Sequence, residues 1–216
     1  MSRRPASETT PRRRTPETPA PPRRDWIVGA LAVVGCAISL YLTITKLSGT
    51  AAAFCEAGSG CDVVQASRYA TFLGMPTSAW GALLYAGLAV LGFTGLTPAR
   101  WIWAFVLATA ATAFSAYLTW ISAFVLHALC PWCVTVAAIA VLSLFALLLT
   151  RPVAPGRRAP TRLARVVGIG VLTGVVTIVL AAGVYVMDPV TGGSAYAAQL
   201  ARHLQATDGV MYGAFW

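Results

Sequence analysis

The stretch CPWCVTVAAIAVLSLFALLL, residues 130–149, joins a dithiol motif directly to an apolar run. A run this long exceeds the needs of a soluble core helix and matches the roughly 20 residues that cross the hydrocarbon of a bilayer. Cys130 and Cys133 therefore stand at the mouth of a membrane-spanning helix. Their spacing puts both sulfurs on one face of its first turn, where the positive end of the helix dipole favours the thiolate. Pro131 suits that turn, because the N–H it lacks would have had no helical partner there.

The rest of the chain has the same character. Mean hydropathy is +0.70 and 11% of the 216 residues are charged, a composition suited to lipid more than to water. Apolar runs of spanning length predict helices over 26–46, 77–96, 101–126, 130–149 and 166–187, the third and fourth forming a tight hairpin. The predicted fold class is all-α integral membrane. Residues 1–25 are a Pro/Arg/Thr/Glu tract, read as a disordered cytoplasmic tail. The first apolar run has spanning length, so no cleaved signal peptide is expected.

Charge orients the spans. With the N-terminus cytoplasmic, the cytoplasmic segments hold Arg3, Arg4, Arg12, Arg13, Arg14, Arg23, Arg24, Arg100, Arg151, Arg157, Arg158, Arg162 and Arg165, which is 13 of the 16 basic residues. Lys46, Arg68 and Arg202 remain outside. The arginines thus read as topology signals facing anionic membrane lipid, and no nucleic-acid partner is expected. This orientation places Cys55, Cys61, Cys130 and Cys133 together on the external face, where disulfides form and persist.

Cys55 and Cys61 lie between the first two spans, flanking the flexible Gly58-Ser59-Gly60. Asp62 followed by Gln65 reads as a capping box opening a short helix over 63–73 that would lie across the bundle mouth. One dithiol on a mobile loop and another fixed at the membrane surface can exchange disulfides by thiolate attack. Two structural readings stay open for these cysteines, a pair of permanent disulfides or a zinc site of four thiolates. Cys36, in the middle of the first span, reads as a small packing residue with no assigned role. At the level of the whole protein, a non-catalytic scaffold or a small transporter with locked loops is the competing class, although transport would call for intramembrane charge that the spans lack.

The run from Cys55 to Val64, then Ser67-Arg68-Tyr69-Ala70, Gly74-Met75-Pro76, Trp80-Gly81 with Tyr85, and Tyr117-Leu118 ahead of Cys130-Pro131-Trp132-Cys133, resembles the vitamin K epoxide reductase family in its bacterial form. The resemblance covers residues 26 to about 150. It implies a four-helix bundle around a quinone, with the fifth transmembrane helix added to it. It also implies roles for the cysteines: Cys55 takes the attack of a reduced partner, Cys61 exchanges with Cys130, and Cys133 donates electrons to the quinone.

By the same resemblance the protein is a thiol:quinone oxidoreductase of the bacterial cytoplasmic (inner) membrane that generates disulfides for exported proteins. Its acceptor is menaquinone or ubiquinone, and its electron source is a thioredoxin-like thiol protein on the external face. An apolar, aromatic quinone pocket with a few polar anchors points to Thr77, Trp80, Tyr85, Tyr117 and Trp132 as candidate contacts. Thr77 stands where vertebrate relatives carry asparagine and Ala137 where they carry tyrosine, which argues against epoxide reduction as the main task.

The remaining segments follow from these assignments. Residues 151–165 are a cytoplasmic linker and 166–187 the fifth span, where Gly170 and Gly174 offer a small-xxx-small packing face. Residues 188–216 form an external tail. An amphipathic helix over 195–207 and the apolar residues after it resemble the start of a thioredoxin-like domain, so the tail reads as a stub of one.

Overall fold

The computed structural model describes residues 25–56, 58–152 and 163–187. The predicted N-terminal tail before Asp25, linker residues 153–162 and the predicted stub over 188–216 lie outside the described residues. The elements are α1 (Trp26–Ser48), α2 (Gly60–Ala66), a 3-10 turn (Arg68–Ala70), β1 (Thr71–Phe72), β2 (Met75–Pro76), α3 (Thr77–Thr94), α4 (Pro98–Phe124), α5 (Pro131–Leu149) and α6 (Leu163–Met187). Among them, α1, α3, α4, α5 and α6 are long and apolar enough to cross a membrane. The protein is an all-α integral membrane protein.

Local chemistry sets the ends of the spans. Asp25 caps α1, its Oδ1 accepting from Val28 N at 3.4 Å, and Gly49 closes it in the left-handed conformation at φ 67°. α4 begins three residues earlier than its apolar run, because Thr97 caps it and Pro98 occupies the first turn. α5 is capped by Cys130 itself.

Helix α1 packs against α3 and α5, and α4 packs against the same two, so these four close a ring. α6 lies outside it against α4. Lipid tails give helices no hydrophobic reason to associate, so close approach through small residues carries the packing. A methyl group added at Gly92 would lie 2.9 Å from Gly29 N, and one at Gly35 would lie 2.8 Å from the Tyr85 ring. A methyl group at Gly170 would lie 3.2 Å from the Phe105 ring of α4, whereas one at Gly174 would meet nothing within 4 Å among the described residues. The outer surface of α6 exposes Val171, Leu172, Val175, Val179 and Leu180, as a lipid-facing helix should.

At the bundle end away from the paired cysteines, a polar clasp gathers three helices. Asp25 N donates to Gly92 O at 3.3 Å, and Thr150 Oγ1 donates to Asp25 Oδ2 at 2.8 Å. Trp101, fully buried, donates its Nε1–H to Leu147 O at 3.1 Å.

The predicted short helix over 63–73 is corrected in both position and length. α2 starts at Gly60 because Ser59 is the cap: its Oγ accepts from Asp62 N at 3.3 Å, while Asp62 Oδ2 accepts from Gly58 N at 3.0 Å. The reciprocal cap therefore sits three residues before the predicted one. The helix stops at Ala66 because Ser67 turns its hydroxyl back on Val64 O at 2.7 Å and leaves the helical conformation. The chain then makes its 3-10 turn and a two-residue hairpin pairing Phe72 with Met75. Leu73 and Gly74, at φ 52° and 75°, form its tight turn.

Gly92→Val would drive a side chain into the α1 backbone and is expected to destabilise the bundle by about 1–3 kcal/mol, read as a lower melting temperature of the detergent-solubilised protein.

Candidate active site

Three sulfurs converge at the open end of the ring. Cys55 and Cys61 are joined in a disulfide, with their Cα atoms 5.2 Å apart. The Cys130 thiol points at the Cys61 sulfur from 3.7 Å. Both Cys61 and Cys130 are 1% exposed and share a small buried cluster with Leu42, Ala52 and Cys55. In the reading of four zinc-bound thiolates, Cys55 and Cys61 would have to be reduced; here they are bonded to each other.

The meeting of Cys61 and Cys130 depends on their neighbours. Gly60 lies against the backbone of Leu129 so closely that a Cβ there would sit 2.6 Å from Leu129 O. No other residue permits that approach, and it brings the start of α2 alongside the start of α5. The loop is pinned on its other side as well. Ala53 donates its N–H to Tyr41 Oη at 2.8 Å and accepts from Trp132 Nε1 at 2.8 Å, and the two aromatic rings pack 5.7 Å apart. Lys46 Nζ donates to Gln65 O, tying α1 to the end of α2. The predicted mobile loop is thus held through its backbone at several points.

Cys130 is tuned toward its thiolate. The adjacent Cys133 side chain, and after it the backbone N–H groups of Cys133 and Trp132, pull its pKa down to about 7 against the opposing effect of burial. The Cys133 N to Cys130 Sγ distance is 3.4 Å, the capping bond of α5. The same geometry that starts the helix prepares the sulfur.

Two clefts flank the sulfurs. One, of about 670 Å³ with its open mouth included, is lined by Cys55, Lys46, Thr50, Asp62 and Gln65. The other, of about 790 Å³ with its mouth included, enters the ring between α1, α3 and α4, beneath α2 and the 3-10 turn. Cys133 forms part of its wall, with Leu42 and Phe114 as apolar sides and Ser39, Thr77, Ser78, Ser115, Thr119 and Ser122 as hydroxyl-bearing ones. An apolar slot with several hydroxyls and one thiol suits a planar molecule carrying carbonyl oxygens.

Of the five residues predicted to contact a quinone, Thr77 lines this cavity and four are placed elsewhere. Trp80 donates its Nε1–H to Phe72 O at 3.1 Å. Tyr85 is buried in the core between α1 and α5, its hydroxyl donating to Val136 O at 2.7 Å. Tyr117 stacks on Tyr185 with centroids 6.3 Å apart, and Trp132 serves the Ala53 clasp. The two indoles and the Tyr85 phenol each place their polar tip on a backbone carbonyl. What the aromatic reading missed is a polar stripe. Ser115, Thr119 and Ser122 recur at helical spacing on one face of α4, a pattern visible in the sequence. Cys36, the remaining cysteine, points its thiol at Ala82 O from 3.6 Å and packs in the core.

The sequence matches the vitamin K epoxide reductase family over residues 26–150, which is the four-helix ring with both cysteine pairs. The chain belongs to this family. Family membership makes it a membrane thiol–disulfide redox enzyme, and proteins of the vitamin K epoxide reductase family use quinones. α6 lies beyond the matched residues.

Two measurements test this geometry. In a Cys133→Ser protein, Cys130 thiolate attack on Cys61 expels Cys55, which maleimide captures. The capture rate is expected to rise with pH and to level off once Cys130 is fully thiolate. In Cys133→Ala, which removes the side-chain donor, the midpoint is expected to move to higher pH. Adding Gly60→Ala to Cys133→Ser is expected to slow the same capture by more than about tenfold, because the displaced backbone separates the sulfurs while the Cys55–Cys61 disulfide remains.

Proposed function

We propose that the protein is a thiol:quinone oxidoreductase that takes electrons from a thioredoxin-like partner on the external face of a bacterial cytoplasmic membrane. The observation that carries this reading is the 3.7 Å approach of the Cys130 thiol to the Cys61 half of a disulfide, with Cys133 in the wall of the adjoining cavity.

The exchange steps balance in thiols and disulfides. A partner thiolate attacks Cys55 and expels Cys61, and the partner's second thiol then displaces Cys55, leaving the partner oxidised and the loop pair reduced. Cys61 thiolate attacks Cys130 of a Cys130–Cys133 disulfide and expels Cys133. Cys55 thiolate then attacks Cys61 in the mixed disulfide and frees Cys130. The loop disulfide is restored and two electrons rest on Cys130 and Cys133, the state of the cysteines in this structure.

The cleft beside Cys55 gives the partner's thiol a path to a residue that is itself 7% exposed. Cys133 and the hydroxyls of Ser78, Ser115, Thr119 and Ser122 would hold the acceptor, menaquinone or ubiquinone. Re-forming the Cys130–Cys133 disulfide would release the two electrons and two protons that convert the quinone to its quinol. The ring of helices keeps water from the thiols, and the hydroxyl stripe orients the acceptor's oxygens.

Purified protein supplied with a dithiol donor is expected to reduce a short-chain quinone. Cys133→Ala is expected to lower that rate by at least about a hundredfold, as loss of a reacting group does. Turnover that survives the substitution would defeat the mechanism.

A further inference from the structure

We propose that Tyr185, on the helix beyond the family match, is a positioning residue of the quinone cavity that holds the cavity's lid in place. The proposal rests on the reading of that cavity as the acceptor site.

The lid is the segment from Arg68 to Pro76, a single 3-10 turn followed by a two-residue hairpin. Tyr69 and Ala70 form part of the cavity wall, and Thr77 follows at the start of α3. So short a segment has little secondary structure of its own to satisfy its backbone, and at a membrane mouth each carbonyl needs a partner. The carbonyl of Tyr69 has two. Thr77 Oγ1 donates to it at 2.9 Å, and Tyr185 Oη donates to it at 3.1 Å.

The first bond comes from the cavity wall, while the second arrives from α6. Tyr185 is 5% exposed, and its ring meets Tyr69 edge-on at 5.2 Å and Phe72 at 5.7 Å. Phe72 in turn meets Phe114 at 5.5 Å, and Phe114 lines the cavity. Tyr185 thus touches the lid through both a hydrogen bond and ring packing without itself lining the slot. A fifth helix added to a complete ring thereby gains a task in acceptor binding: it fixes the residue whose position sets the shape of the cavity mouth.

The test uses the full chain in detergent, with a short-chain benzoquinone as probe and its binding followed by quenching of tryptophan fluorescence. Tyr185→Phe, which keeps the ring, is expected to weaken binding about fivefold with only a small fall in melting temperature, as loss of one hydrogen bond would. Tyr185→Leu, which also removes the ring contacts, is expected to weaken it by about twentyfold or more. In both variants the rate at which dithiothreitol reduces the Cys55–Cys61 disulfide is expected to stay within about twofold of the parent.

Parent-like quinone binding in both variants would overturn the proposal. So would binding, dithiol reduction and melting temperature all falling together, since that would mark general loosening. Ser122→Leu, which fills the cavity from α4, separates the two levels of inference. If it leaves binding unchanged, the cavity is not the acceptor site and both readings fall. If it weakens binding while the Tyr185 variants do not, the cavity reading stands and the role of Tyr185 is lost.

Discussion

The contact between the backbones of Gly60 and Leu129 is the constraint on which the redox geometry rests. Two chain segments far apart in sequence approach to a distance that leaves no room for a Cβ, and each is followed immediately by a cysteine. Thiol–disulfide exchange requires an attacking sulfur near and in line with its target, and side chains as short as cysteine cannot reach across a gap left by bulkier neighbours. The glycine therefore governs chemistry in which its own atoms take no part. Around it, the pins on Ala53 and Gln65 limit the freedom of the loop, so the encounter of Cys61 with Cys130 is built into the ground state.

The bundle supplies what the sulfurs need from their surroundings. Burial alone would raise the pKa of a thiol and suppress its reactivity, but Cys130 occupies the N-cap of α5, where the unpaired N–H groups of the first turn and the Cys133 side chain face it. Hydrogen bonding outweighs desolvation, and the thiol stays near the point where both protonation states are accessible. A sulfur of that kind can serve as nucleophile in one exchange and leaving group in the next, as a relay requires.

How much of this was legible beforehand follows from the physics of each element. Spans announce themselves through composition because lipid selects for apolar length, so the five long helices stood out and only their ends moved, by the few residues that caps such as Thr97 and Cys130 decide. The cysteine pairs were equally visible, and their chemistry follows from residue type and spacing. The segment between the first two spans was misread because Asp62-x-x-Gln65 and Ser59-x-x-Asp62 are both plausible caps, and the choice depends on Ser67 and the Leu73-Gly74 turn further along. Aromatic residues were the least legible. Trp80, Tyr85, Tyr117 and Trp132 have faces that suit a quinone, but the tip of each indole and of Tyr85 seeks a carbonyl, and which carbonyl lies within reach is a property of the tertiary structure. The hydroxyl stripe on α4, Ser115, Thr119 and Ser122, is visible in the sequence as polar residues at helical spacing within an apolar span.

The placement of α6 shows how an element can be added to a complete bundle without disturbing its core. Its contact with the ring is chiefly with α4, through Gly170 against Phe105 at one end and Tyr185 against Tyr117 at the other, where Tyr185 also meets the lid, while much of its surface is apolar and faces lipid. In a bilayer such a helix gains little from hydrophobic burial against its neighbour, so specific contacts must hold it in position. A buried phenol is well suited to this, because its ring packs without polar cost and its hydroxyl accepts only a location where an acceptor waits. The acceptor here is a carbonyl of the lid. The bond that docks the helix is thus also a bond that steadies the lid, and the helix cannot shift at that end without releasing it.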